Sequence, residues 1–277
     1  MNRSQLTYFS LKFNPFSTAL PIEALVVPPH VDAFCRRIEA SLGDGGFAMM
    51  TGEPGCGKSV ALRLLAHRLS SHRDVVVATI DHPQSKPLDF YRELGDRFGV
   101  PLSMSNRWGG FKALRTRWSD HIASCHLRPV LIVDEAQQML DSVFAELRIL
   151  ASKDFDSKSL LSVVFAGDSR LSDRFRHPDM IPLGTRIRRR LAIDYATHQE
   201  LHACLSHVLD AAGNTALMSE QLQDALVDHA AGNYRVMMNT ADELLVAAFE
   251  RQCPVLDEKL FFDVFAIQPR KRQARKR

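Results

Sequence analysis

No stretch of this 277-residue sequence approaches 18 consecutive apolar residues, and the opening MNRSQLTYFSLKF lacks the apolar stretch of a signal peptide. A membrane span and a secretory leader are therefore not expected, and the default expectation is a cytoplasmic protein. Cysteine is sparse as well. The five (Cys35, Cys56, Cys125, Cys204 and Cys253) are odd in number and form no C-x-x-C pair, which argues against both a disulfide scaffold and a zinc site. There is no zinc finger, no basic zipper and no internal repeat. What remains is the composition of an ordinary globular chain, 45% hydrophobic and 24% charged. It is long enough for one large domain, or a large one with a smaller companion.

The formal charge of +3 hides an asymmetry. RKRQARKR at the end carries six cations and no acid, and without it the charge falls from +3 to −3. Such a tail is too polar to fold alone and would attract a polyanion, nucleic acid above all, although a merely solubilising terminus has the same composition.

The apolar pattern divides the chain. Residues 1–30, with NPF and VVPP, read as an irregular N-terminal arm. From 31 to 195, short apolar runs alternate with helical periodicity. Strands are expected at 47–51, 74–80, 129–133, 160–166 and 191–194, with helices at 31–42, 60–69, 87–98, 107–124 and 143–152. This is the pattern of an α/β fold with a mostly parallel five-stranded sheet covered on both faces. After Tyr195 only helical patterns remain, near 197–212, 219–230, 234–250 and 257–265, so residues 196–267 read as a small all-helical domain and 268–277 as a basic tail.

Two motifs carry chemistry. GEPGCGKSV runs through Gly52, Glu53, Pro54, Gly55, Cys56, Gly57, Lys58, Ser59 and Val60, between an expected strand and an expected helix. That context leaves backbone N–H groups converging on phosphate oxygens at the positive end of a helix. Gly55 and Gly57 allow a close turn, Lys58 reaches the β- and γ-phosphates, and the Ser59 hydroxyl holds Mg²⁺. About 75 residues later PVLIVDEAQQM ends an apolar strand in Asp134 and Glu135. Paired acids at such a tip are costly unless used. Asp134 is suited to Mg²⁺ and Glu135 to deprotonating an attacking water. Together the motifs make a P-loop fold that hydrolyses ATP or GTP.

Other positions are open to more than one reading. Asp168, after the 160–166 strand, can report on the γ-phosphate through Mg²⁺, a water or a neighbouring arginine, or can simply be a turn residue. TRIRRRL places Arg186, Arg188, Arg189 and Arg190 together, for a neighbouring subunit's nucleotide, for DNA phosphates or for surface acids. Arg235, in GNYR, begins a helix from which it can reach phosphate or lie at the surface. On the 107–124 helix, Lys112, Arg115 and Arg117 are candidate DNA-phosphate contacts, joined by Arg270, Lys271, Arg272, Arg275, Lys276 and Arg277 of the tail. Trp108, Phe111 and Trp118 are expected to pack inward rather than stack on bases.

Taken in order, the proline–phenylalanine pair within residues 13–16, GFAMMTGEPGCGKS, LIVDEAQQM, FAGDSRL, LGTRIRRRL and AAGNYRVMMNTADELLVAAF resemble the AAA+ ATPases. The resemblance covers most of residues 8–250. It is strongest to the branch that holds the ExeA-type general secretion ATPase and the transposon helper ATPases (TniB, TnsC, MuB and IstB types). It implies ATP rather than GTP, an all-helical AAA+ lid after the α/β domain, and a homo-oligomer, ring or helical filament. By the same resemblance Asp168 falls at the sensor-one position, where glutamine or asparagine is usual. Arg186 falls at the arginine finger and Arg235 at sensor two. Secretion members typically add a membrane span and a cell-wall-binding region, and the expectation here is instead a transposon helper. Such a protein binds double-stranded DNA without sequence preference and recruits or regulates a transposase, with a target-selection protein as a further partner. The alternative is an ExeA-like ATPase that drives assembly of a protein complex without DNA.

Overall fold

The computed structural model describes residues 2–81, 83–101 and 106–265. The chain divides into two compact units, one of residues 27–195 and the other combining the first 26 residues with the chain from 196 onward.

The first unit is built on five strands: β1 (Gly46–Gly52), β2 (Val75–Ile80), β3 (Arg128–Val133), β4 (Ser162–Gly167) and β5 (Ile187–Ile193). Their order across the sheet is β2-β3-β4-β1-β5, and every pairing is parallel. Because side chains alternate across a strand, each inner strand feeds two cores. Phe47, Met49, Leu131, Val133, Val163 and Phe165 enter one, with Phe90, Leu94, Trp118, Phe144 and Leu147 from the helices. Ala48, Met50, Val130, Ile132, Val164 and Ala166 enter the other, with Phe34, Ile38, Leu62 and Leu65. The first face is covered by α4 (Pro87–Phe98), α5 (Arg107–Cys125) and α6 (Asp141–Ala151), the second by α2 (Pro29–Glu39) and α3 (Lys58–Ser70). Arg68 of α3 ties the second pair of helices together through Asp32 at 2.5 Å and Glu39 at 2.6 Å.

β4 lies between the strand that carries the glycine-rich loop and the strand that ends in the paired acids. Phosphate-binding sites form at the carboxyl ends of such parallel strands, and this order brings three strand tips to one place.

β5 begins at Ile187, four residues earlier than its apolar pattern suggested. Ile187, Leu191 and Ile193 face inward, while the intervening arginines hide the periodicity. Such charge is tolerated because β5 is an edge strand, and it blunts the edge against unwanted pairing. A hairpin of two-residue strands, Ser152–Lys153 with Lys158–Ser159, and the helices α7 (Ser169–Arg174) and α8 (Ile181–Gly184) are also too short for periodicity to reveal.

The second unit holds α9 (His198–Ala212), α10 (Glu220–Ala230), α11 (Tyr234–Glu250) and α12 (Glu258–Phe265). Their starts follow from capping chemistry. Thr197 and Glu200 form a reciprocal capping box, Ser219 caps α10 and Asn233 caps α11. Gly213 ends α9 with φ of 93°. The N-terminal segment is not a separate arm. It opens with α1 (Arg3–Tyr8), and Phe9, Leu11 and Phe16 are buried among Leu201, Leu205, Leu209 and Leu245. Bonds to main-chain carbonyls fix it there: Lys12 N donates to Ala212 O at 2.9 Å, and the Asn214 side-chain Nδ2 to Phe9 O at 2.8 Å. Asn14 Nδ2 donates to Asp242 Oδ1 at 2.7 Å.

Candidate functional site: a phosphate loop and paired acids

Gly55 and Gly57 have φ of 87° and 102°, the left-handed conformations that a side chain disfavours. They curl the loop so that α3 starts at Lys58, with Gly57 as its cap. No side chain caps that end, and its first turn carries no acid. The N–H groups and the positive end of the helix dipole thus stay available to an anion. Beneath the loop the Cys56 thiol is buried, and burial pushes its pKa up. A Cβ on Gly52 would collide with that sulfur and with the Ile193 carbonyl, so the loop is seated on β5 without room for a side chain. Lys58 is 7% exposed, and its Nζ donates to the Glu53 carbonyl across the loop at 3.1 Å.

Ser59 Oγ donates to Asp134 Oδ2 at 3.3 Å, joining two motifs 75 residues apart. A hydroxyl and a carboxylate converging in this way suit Mg²⁺, which prefers few protein oxygens and takes the rest of its shell from phosphate and water. Among the described residues no cluster of three His, Cys, Asp or Glu side chains could hold a metal alone. Glu135 has φ of 50°, an uncommon conformation for a side-chain-bearing residue and one that gathers at functional sites. Its N–H donates to Asp134 Oδ1 at 2.8 Å. Its own carboxylate accepts from Gln137 Nε2 at 2.6 Å and Gln138 Nε2 at 3.2 Å.

Asp168, 9% exposed, caps α7 and is gripped by Arg170, whose Nε and Nη2 lie 2.9 and 2.6 Å from Oδ2. The hydrogen bonds from Arg170 hold its carboxyl below the usual range despite burial. Asp168 thus has both a neighbouring arginine and the capping role of a turn residue, two of the alternatives the sequence left open. Arg186 is engaged within its own chain, by the Asp156 carboxylate of the hairpin loop and by the Pro182 carbonyl. Arg235 lies exposed in the first turn of α11, in the other unit.

The α5 cations separate. Arg115 Nη1 donates to the carbonyls of Ile149, at 2.8 Å, and Ser152, and its guanidinium lies over the Phe111 ring. It caps the end of α6, while Lys112 and Arg117 are exposed. Trp118 packs inward at 1% exposed, but Trp108, expected in the core, is 71% exposed and stacks on Phe111. Its helical spacing could not show that of the two stacked rings only Phe111 packs against the core. The tail cations Arg270, Lys271, Arg272, Arg275, Lys276 and Arg277 lie outside the described residues. Sequence reasoning missed Gln137, Gln138 and Arg170. Their nearness to the acids in DEAQQM and GDSR was the available signal.

A phosphate loop, paired acids on a strand two places away, and a helical unit give the P-loop NTPase fold with an all-helical lid of the AAA+ kind. Residues 40–175 match the family model described as an AAA domain. The chain is thus an ATPase with ATP as its nucleotide. It is 29% identical over 249 residues to the general secretion pathway protein A of Aeromonas hydrophila, a match that covers 88% of this chain and 45% of that protein. The chain therefore spans less than half the length of this curated relative. Among solved structures it is similar in fold to the ORC2 protein of Aeropyrum pernix, solved as ADPNP–ADP complexes. There the TM-score is 0.71 at 15% identity, over 90% of this chain and 70% of that one. The ORC1 protein of the same organism in complex with DNA gives 0.68 at 17% identity, over 88% and 66%. No described helix is long and apolar enough to cross a membrane.

Proposed function

We propose that this ATPase binds duplex DNA as an ATP-dependent homo-oligomer and there recruits or regulates a transposase. The observation that carries DNA is β5. Arg188 and Arg190 are exposed on the outer face of an edge strand, in a chain whose charge without the tail is acidic. Closely spaced guanidiniums of this kind suit a phosphate backbone. The solved ORC1 neighbour bound to DNA supports the same reading. Lys112, Arg117 and the tail cations would add sequence-independent contacts.

In the nucleotide site, the loop from Gly52 to Val60 would cradle the phosphates and Lys58 would neutralise the β- and γ-oxygens. Ser59 and Asp134 would hold Mg²⁺, which offsets phosphate charge when bound. Glu135 would take the proton of the attacking water. Asp168 would act through Arg170. Arg186 would leave Asp156 to reach a neighbouring subunit's nucleotide, and Arg235 would couple nucleotide state to its helical unit.

Filter binding to duplex DNA with ATP, ADP or a non-hydrolysable analogue across a salt series tests the reading. ATP-favoured binding that falls steeply with salt is expected, because released counterions drive phosphate contacts. No binding in ATP at low salt would overturn it. A second reading rests on the similarity to the secretion pathway protein over 88% of the chain: an ATPase that assembles a protein complex without DNA. A transposase gene beside this one favours the first reading, secretion genes the second.

A further inference from the structure

The side chain of Gln137 is fixed at both ends. Its Nε2 donates to Glu135 Oε2 at 2.6 Å, and its Oε1 accepts from the Asp168 backbone N–H at 3.4 Å. These neighbours dictate the amide's orientation, since a carboxylate requires a donor and an N–H an acceptor. The space is shaped for it, because a Cβ on Gly167 would collide with Gln137 Oε1. The backbone is held as well. Arg174 of α7 donates through Nη1 to the carbonyls of Gln137 and Met139, both at 2.7 Å, and pairs with Asp141. The short 3₁₀ turn Ala136–Gln138 is therefore tied to the tip of β4 and to α7 by side chain and main chain together. Gln138 makes the longer contact to Glu135, is exposed, and is itself held by Gln84 Nε2 at 2.5 Å.

We propose that Gln137 is a positioning residue that aims the Glu135 carboxylate at the attacking water and locks it to the tip of β4. The general base and Asp168 then shift as one body when β4 or α7 responds to nucleotide. This rests on Glu135 as the base. A carboxylate with left-handed backbone and a free side-chain torsion would otherwise sample orientations that cannot reach the water. Misplacement of a reacting group by about 1 Å can cost about 100-fold in rate. Gln137 touches neither phosphate nor water in this scheme, so its loss would appear in turnover and not in ATP affinity.

The test is steady-state hydrolysis and ATP binding on the full chain, with Glu135→Gln as reference and thermal melting as a fold check. Gln137→Ala is expected to lower kcat about tenfold or more while KM and ATP affinity stay within about twofold. Gln137→Glu faces Glu135 with a second carboxylate. Its kcat should fall further, because the donor that orients Glu135 is replaced by a like charge. Gly167→Ala displaces the amide without altering it and should reproduce the kcat-only defect. A Gln137→Ala enzyme at the parent rate, beside an inactive Glu135→Gln enzyme, overturns the positioning role alone. A Glu135→Gln enzyme at the parent rate overturns the underlying assignment of the base.

Discussion

In the α/β unit the charged residues Lys58, Glu146 and Asp168 are all less than a tenth exposed, whereas the buried polar residues described in the helical unit are the uncharged Gln223 and Thr240. Burying charge is costly unless it is paired and hydrogen-bonded, and each of the three has its own answer. Lys58 uses the Glu53 carbonyl, Asp168 uses Arg170, and Glu146 accepts from the Tyr91 hydroxyl at 2.7 Å and pairs with Arg107. Two of them, Lys58 and Asp168, sit in the candidate site. Glu146 instead pins α6 to α4 and α5, so a buried charge is not by itself a guide to the site. The helical unit is held by apolar packing and helix caps, and substitutions in its core and at its caps should cost stability without touching chemistry.

The contrast is sharpest at Glu135. Glu135→Gln is expected to bind ATP as the parent does and to lose about 10²–10⁴-fold in kcat, the range for a removed general base. Melting should not change, because the amide fits the same space. Phosphate release together with nucleotide binding measures both halves. Lys58→Ala should instead lose binding.

Phe16→Ala is the counterpart in the helical unit. Phe16 is 3% exposed among the leucines of α9 and α11, and truncation of such a ring costs about 3–5 kcal/mol. The urea transition should move to lower concentration while the kcat per folded molecule holds. If Phe16→Ala left stability intact, residues 2–26 would not be part of that core.

Legibility follows the range of the interactions. GEPGCGKS and LIVDEAQQM were readable because a few adjacent residues dictate a strand, a loop and a helix start. The capped helices of the second unit were readable for the same reason. Phe9 and Phe16 were not, since their partners lie some 190 residues away and nothing local distinguishes an arm from a docked segment. Arg115 looked like a free cation because its acceptors, the last carbonyls of α6, exist only in the folded chain. The Gln137–Asp168 contact spans 31 residues and two strands, and sequence showed only a glutamine beside two acids.

Alkaline titration compares the two units. Burial pushes the Cys204 thiol of the helical unit up to about 12. Burial is also the main cause for Cys35 on α2, at about 11, with Arg68 opposing and Glu39 and Asp32 adding to it. The unfolded thiol titrates near 9.0. Above that pH the unfolded chain loses these protons first, so the stabilisation is full below about 9 and declines as pH rises through the folded values. The slope is about 1.4 kcal/mol per pH unit per thiol. Denaturant midpoints between pH 8 and 11 should fall, and Cys204→Ala should flatten the fall for the helical unit alone. An unchanged slope in that variant would assign the pH dependence elsewhere.

The smallest expected effect lies at the first residues of the helical unit. Thr197 Oγ1 accepts from Glu200 N at 3.2 Å, and Glu200 Oε2 accepts from Thr197 N at 2.8 Å. Each side chain thus satisfies a backbone donor that α9 cannot satisfy itself. Thr197→Ala leaves the Glu200 N–H without that acceptor and should cost about 1 kcal/mol, and Thr197→Ser, which keeps the oxygen, should cost less than half as much. Urea unfolding of the two variants side by side resolves the difference. ATP turnover should not change in either, because the cap acts on α9 and on nothing at the strand tips. A loss of kcat with unchanged stability would mean that Thr197 acts on the site rather than on its helix, and the separation between a unit that packs and a unit that does chemistry would fail at that position.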